Sequence, residues 1–262
     1  MHPLIFQFGS FKIYSYSLLV LMAFGGGLLY AWREAKRLGE DPEHALDLAV
    51  LIFFFSFIGG RLLHCLINWH DYIHDPLRVF KIWEGGLVYY GGYFMITIVC
   101  FIYLRRKHLA LGRWSDILAP CAMITLFFGR IGCFLNGCCY GCAAPKWLPW
   151  KVVYPIDQMP LYLAGVAIHP TPLYESLAVG LIATGLILYR KHKKYEGELF
   201  WLMMILYPVA RFFLEYLRAD PRGAIATLHL STSQFISILV FIPSLVCLIL
   251  GYRRAARAEA AA

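Results

Sequence analysis

The chain has 262 residues, 60% of them hydrophobic and only 15% charged, with a mean hydropathy of +0.61. Soluble domains hold about 45–50% apolar and about 25% charged residues, so one water-soluble core is excluded and a polytopic membrane protein is implied. A formal charge of +8 on such a chain fits contact with anionic lipid, and no nucleic-acid partner is expected.

Apolar stretches of about 20 residues are long enough to cross a bilayer. They predict seven transmembrane helices, near 15–32, 45–67, 86–104, 116–135, 171–189, 198–217 and 232–251. The fold class expected is all-α, a single integral membrane domain over 1–262, with outer loops near 68–85 and 136–170. The opening "MHPLIFQFGSFKIYSYS" shows no basic n-region and no small-residue cleavage site, so the first helix itself is expected to direct insertion. Fourteen lysines and arginines fall after the first, third and fifth spans and in the C-terminal tail, against seven on the opposite side. That imbalance predicts an outer N-terminus and a cytoplasmic C-terminus, in a multi-pass protein of the bacterial cytoplasmic (inner) membrane.

Three arginines remain inside the apolar segments or at their edges: Arg61, Arg130 and Arg211. A charge at mid-membrane costs roughly 2.5–3.5 kcal/mol on an insertion scale, so each should face the interior and meet a counter-charge. Arg61, in "GGRLLHC", is a candidate partner for Glu175, which lies a turn inside the fifth span in "HPTPLYES". His64 and His169 read as a hydrogen-bonded core imidazole and a helix-start residue. "GGLVYYGGYF" opens the third span with glycine pairs around Tyr89 and Tyr90; helix packing accounts for the glycines, and the tyrosines are interface aromatics or a reactive phenol.

The fourth span ends in "GRIGCFLNGCCYGC", which places Arg130 beside Cys133, Cys138, Cys139 and Cys142. The Cys139–Cys142 step has metal-ligand spacing, but the second C-x2-C pair of a zinc site is missing, so no metal is assigned. The sixth span ends in "LYPVARFFLEYLRADPR". At 100° per residue, Tyr207, Arg211, Glu215 and Arg218 lie within about 80° on one helical face. This is either an Arg–Glu pair that neutralises itself, or two cations facing one anion with positive charge left over. A guanidinium fork suits a pair of phosphate oxygens, and Arg130 could add another. From the residues alone, a transporter for an anionic solute or lipid and a metal or redox protein centred on Cys133–Cys142 stay open.

Taken in order, "IYSYSLL", "GGRL", "WEGGLVYYGG", "GRIGCFLNGCCYG", "HPTPLYE" and "YPVARFFLEYLR" resemble the prolipoprotein diacylglyceryl transferase family over nearly the whole chain. The family signature G-R-x-G-N-F-x-N-x-E-x-x-G is matched by Gly129, Arg130, Gly132, Phe134, Asn136 and Gly141. The resemblance implies a cofactor-free enzyme that transfers the diacylglyceryl group of phosphatidylglycerol to the lipobox cysteine of a preprolipoprotein signal peptide. Its implied catalytic residues are Arg130, Arg211, Glu215 and Tyr90. Tyr16, Asn136, Gly141, Tyr207 and Arg218, with Arg130, would bind phosphatidylglycerol. The chain departs from the family at Cys133, where the signature has asparagine, at Cys138, where it has glutamate, and at Tyr90, where a histidine is common.

Overall fold

The structure, a computed structural model, describes residues 4–8, 11–73, 75–81, 85–154, 163–219, 224–225 and 230–261. Trp83 and Glu84 of the quoted "WEGGLVYYGG", Arg222 of the charge count and residues 155–162 of the second outer loop lie outside the described residues.

Each of the seven predicted segments is helical: α1 (Ser15–Arg37), α2 (Glu43–Ile67), α4 (Tyr89–Arg106), α5 (Leu111–Asn136), α6 (Thr171–Tyr189), α7 (Glu198–Glu215) and α8 (Thr232–Ala261). Between α2 and α4 lie the four-residue α3 (His70–Ile73) and a 3-10 turn at Pro76–Phe80. Five helices, α1, α2, α5, α6 and α8, are long and apolar enough to cross a membrane. The other two have 18 residues each, about 27 Å at 1.5 Å per residue against a hydrocarbon core of about 30 Å. Three short antiparallel hairpins add to the helical frame: β1 (Leu4–Phe8) with β2 (Phe11–Tyr14), β3 (Val152–Val153) with β4 (Ala167–Ile168), and β5 (Ala224–Ile225) with β6 (Leu230–Ser231). The predicted sixth span runs to 217, but α7 stops at Glu215 and leaves Arg218 on extended chain bridged to Gly141.

The distribution of side chains is that of a protein dissolved in lipid. Leu21, Phe54, Leu66, Leu181 and Leu188 are exposed, whereas Glu34, Arg61, Asp116, Glu175, Glu198 and Arg211 are buried. In hydrocarbon, leucine outside costs nothing, and a charge inside is tolerated where it is paired.

The chain divides into two compact units, Ala31–Trp114 and a larger one made of Met1–Tyr30 with Ser115–Ala262. In the smaller unit α2 and α4 cross at their glycines. A Cβ on Gly59 would collide with the Gly91 carbonyl, one on Gly91 with the Gly59 carbonyl, and one on Gly92 would lie 2.7 Å from Ser56 O. The glycine pair of the third span is thus a packing feature, as helix packing predicts.

Arg61 corrects its expected pairing. Its guanidinium donates to the carbonyls of Val79 (3.0 Å), Gly86 (3.2 Å), Lys81 (3.2 Å), Arg78 (2.6 Å) and Gly85 (2.5 Å). The loop after α3 turns backbone carbonyls to this cation, so within its own unit Arg61 is met by carbonyls in place of the carboxylate expected. His64 is hydrogen-bonded as expected, Nδ1 lying 3.1 Å from Tyr72 Oη.

In the larger unit, Ala119 and Met123 of α5, Val179, Ala183 and Leu186 of α6, and Leu199 and Met203 of α7 form the apolar core. Each end of this bundle is polar. At one end Asp116 accepts from Lys193 Nζ (2.7 Å), Gly197 N (2.9 Å) and Phe200 N (3.2 Å), a carboxylate at the amino end of α7 where the helix dipole favours it. Beside it Glu198 accepts from Tyr189 Oη (2.7 Å) and Tyr252 Oη (2.5 Å). Arg130, Glu175, Arg211 and Ser233 lie at the opposite ends of the same four helices.

Gly91→Val should lower the thermal unfolding midpoint in detergent, since overpacking a tight contact costs about 1–3 kcal/mol. Gly25→Ala, with nothing within 4 Å of the added Cβ, should leave it unchanged or slightly raised. Equal midpoints for the two variants would remove the glycine crossing as a constraint.

Candidate functional site

The site is built by the way α5 ends. Gly137 takes φ +76°, its N–H bonds to Phe134 O (3.2 Å), and the Cys138 N–H returns to Cys133 O (3.1 Å). That 6→1 and 5→2 pattern is a Schellman cap, which needs a left-handed residue and selects glycine there. The cap folds Cys138 back over the last turn. Cys139 follows with φ +61°, an uncommon conformation for a residue with a Cβ. Thr171 Oγ1, at the start of α6, donates to its carbonyl at 2.8 Å.

The next residues are held on both sides. Gly141 N bonds to His169 O (3.1 Å), His169 N to Cys142 O (3.0 Å), Cys142 N to Leu217 O (2.9 Å) and Ala144 N to Ala167 O (2.8 Å). A Cβ on Gly141 would lie 2.5 Å from His169 O and 2.7 Å from Leu217 O. Only glycine fits between these strands. Gly141, expected to bind lipid, therefore serves through its backbone, tying the end of α5 to the start of α6 and the end of α7.

Those ties bring the charged side chains together around Glu175. Its side chain is 1% exposed, with Arg130 Nη2 at 2.9 Å and Arg218 Nη1 at 3.4 Å. Tyr207 Oη donates to the same carboxylate at 3.1 Å. Arg130 Nη1 also reaches Cys139 Sγ at 3.8 Å. One turn after Tyr207 on α7, Arg211 Nη2 lies 2.6 Å from Glu215 Oε2 and donates to Ser233 Oγ of α8 at 3.1 Å. The helical-face expectation thus resolves into two clusters. Arg211 and Glu215 form the i,i+4 pair, while Arg218 and Tyr207 turn to Glu175. Glu175, absent from the expected site residues, is the centre of the larger cluster. Its signal was there: a carboxylate inside an apolar span must have cationic partners.

Two buried guanidinium nitrogens, Arg130 Nε and Arg211 Nη1, have no hydrogen-bond partner among the described residues. Leaving such a donor unmade costs about 1–3 kcal/mol, more for a charged group, so the arrangement is suited to accept further oxygens. Three arginines face two glutamates, so one positive charge is left over.

The remaining expected residues lie around this centre or apart from it. Tyr16 is exposed on the first turn of α1, and its ring covers Gly132 of α5, where a Cβ would meet Tyr16 Cδ2 at 2.9 Å. Asn136 is exposed at the last turn of α5, hydrogen-bonded to Cys138. Tyr90 belongs to the smaller unit, exposed on the first turn of α4, with its ring 6.0 Å from that of Tyr89. His169 Nδ1 lies 3.2 Å from Tyr174 Oη, which accepts from Trp150 Nε1 at 2.8 Å.

Of the four clustered cysteines, three converge: the sulfurs of Cys133, Cys138 and Cys139 all lie within 4.8 Å of one another. Cys142, one half of the C-x2-C step, is not among them. Spacing along the chain marks Cys139 with Cys142, whereas the cap brings Cys138 and Cys139 back to Cys133. Burial, with the neighbouring thiols, pushes the Tyr154 phenol up.

Residues 3–250 match the prolipoprotein diacylglyceryl transferase family. A phosphatidylglycerol–prolipoprotein diacylglyceryl transferase of Clostridium tetani is 32% identical over 242 residues, 92% of this chain and 94% of its own. Proteins of the same name from Gloeobacter violaceus and Halalkalibacterium halodurans are 34% identical over 98% of this chain and 33% identical over 95%, covering 96% and 85% of their own lengths. The chain belongs to the prolipoprotein diacylglyceryl transferase family.

Proposed function

We propose that this protein transfers the diacylglyceryl group of phosphatidylglycerol to the lipobox cysteine of a prolipoprotein, with Arg130 and Arg211 gathering the lipid phosphate. Family membership supports the reaction. The assignment of the site rests on the buried, unfilled guanidinium donors at Arg130 Nε and Arg211 Nη1.

The substrate sulfur attacks a glycerol carbon, a C–S bond forms, and the C–O bond to phosphorus breaks with its electron pair retained by the leaving glycerol phosphate. Negative charge builds on that phosphate as the bond breaks. Preorganised cations aimed at it act most strongly where water is scarce. Arg130 is held by Glu175 and Arg211 by Glu215, so each fork meets its oxygens without first being ordered. Arg218 adds charge from the opposite side of Glu175, and Tyr207 fixes the carboxylate. Tyr16 and Asn136, both exposed, face the headgroup glycerol, and the Gly141 backbone sets the position of Arg218.

The attacking thiol belongs to the substrate, with a pKa near 8.5 in water. A cationic site lowers it, so the thiolate forms with its proton passing to solvent. Seven spans with an outer N-terminus put the Glu175 end of the bundle on the outer side of the cytoplasmic membrane. Lys193, Lys194, Arg253 and Arg254 support that orientation, since they lie toward the Asp116 and Glu198 end. A lipobox cysteine emerging with its signal peptide would reach the outer end.

Purified protein given labelled phosphatidylglycerol and a lipobox peptide should yield a thioether-linked lipopeptide and glycerol phosphate. Arg130→Ala should lower turnover about 10²–10³-fold, the cost of removing one transition-state donor, while still inserting as a monodisperse protein. Near-normal turnover would take Arg130 out of the site. Lipid movement without covalent product would favour a transporter.

Glu175→Gln should lower the unfolding midpoint, since removing one member of a buried ionic cluster costs about 3–5 kcal/mol. Tyr207→Phe, which removes one hydrogen bond to a charged group worth about 1.5–3 kcal/mol, should lower it less. Equal shifts would show that Glu175 is not the centre of the cluster.

A further inference from the structure

We infer that Cys133, Cys138 and Cys139 form a binding site for one soft d10 metal cation, of the Zn(II) or Cu(I) class, beside Arg130. The reaction proposed above uses no thiol of the enzyme, so this cluster is left without a role by it.

Convergence is the first observation. Around a metal with M–S bonds of about 2.3 Å, three thiolates stand about 3.7–4.0 Å apart, whether the site is tetrahedral or trigonal. The three sulfurs already lie within 4.8 Å of one another, so small side-chain rotations would close them on one ion. No sulfur needs to cross a backbone to do so.

Preorganisation is the second. The Schellman cap sets Cys138 over Cys133 through the Cys138 N to Cys133 O bond of 3.1 Å. Cys139 is held at φ +61° by Thr171 Oγ1 on its carbonyl, at 2.8 Å. A side chain other than glycine at that φ is under strain, and it is retained here where it aims a third sulfur at the other two. None of the three cysteines is in a disulfide and all are half-buried, which admits an ion while limiting water.

Charge is the third. A divalent ion on three thiolates carries one net negative charge. Arg130 Nη1 lies 3.8 Å from Cys139 Sγ, and the adjoining arginine–glutamate clusters hold one positive charge in excess. The metal–thiolate complex and that excess cancel. An all-sulfur donor set selects soft cations over Mg(II) or Ca(II). On binding, the thiol protons pass to solvent. The metal would then lie against the arginine assigned to the lipid phosphate, and occupancy would weaken the pull of that arginine on an anion.

The test uses the full chain in detergent, reduced and stripped of metal, then equilibrated with Zn(II) alone and gel-filtered for elemental analysis. One zinc per chain is expected. Titration with Cd(II) should give a thiolate-to-metal charge-transfer band. Cys133→Ser, Cys138→Ser and Cys139→Ser should each weaken Zn(II) binding at least tenfold, since even outer-shell changes cost about 10–100-fold. Cys142→Ser and Cys65→Ser should match the parent.

Alkylation of the parent with and without Zn(II), mapped by mass, keeps the test valid if a serine variant misfolds. Protection should be confined to residues 133, 138 and 139. No bound zinc, binding that survives loss of any of the three, or protection elsewhere would overturn the inference. These readouts record metal and not lipid transfer, so they fail or succeed independently of the proposed reaction.

Discussion

The ionic cluster around Glu175 is the constraint on which the larger unit depends. A carboxylate 1% exposed inside an apolar helix has no water to solvate it. It is tolerated because Arg130 from α5 and Arg218 from the chain after α7 both reach it, with the Tyr207 hydroxyl completing its shell. Three elements distant in sequence must therefore end at one place. The strand-like ties through Gly141, His169 and Leu217 are the backbone expression of that requirement. Helix lengths, the Schellman cap and the glycine between two carbonyls all serve to bring the three ends together.

Such a cluster is weak evidence for stability in itself. Desolvating a carboxylate and two guanidiniums costs several kcal/mol per ion, and a well-packed apolar replacement is often as stable. The other bundle end shows what a structural version looks like. There Asp116 and Glu198 are filled by backbone N–H groups, a lysine and two tyrosine hydroxyls. The Glu175 end instead keeps guanidinium nitrogens buried without partners among the described residues, and the cations outnumber the anions. The carboxylates at one end are filled by donors, while guanidinium donors at the other are left where an anion could answer them.

Much of this was legible in the sequence because the bilayer makes few demands and makes them strictly. Runs of about 20 apolar residues located all seven helices, with errors only at ends such as Glu215, where a turn begins before the hydropathy falls. The need to pair buried charge correctly singled out Arg61, Arg130, Arg211 and Glu175. It could not name partners, because a carbonyl shell and a carboxylate satisfy a guanidinium equally well in a linear reading. Arg61 took five carbonyl contacts from a loop whose path no periodicity encodes. The thiol cluster was out of reach for a related reason: spacing along the chain marks Cys139 and Cys142, while the cap at Gly137 reverses the chain and gathers Cys133, Cys138 and Cys139.

The departures from that signature have an electrostatic consequence. With glutamate at position 138, as in the family pattern, three carboxylates would stand near Arg130, Arg211 and Arg218, and the formal charges would cancel. Cysteine there leaves Glu175 and Glu215 alone against the three arginines, a surplus of one positive charge. A phosphodiester carries one negative charge and would neutralise it; a divalent metal on three thiolates carries one as well. If both ligands bind as proposed, they share that surplus, because Arg130 touches Cys139 and Glu175 together, and each would then weaken the other by the same factor, since the coupling between two sites is reciprocal.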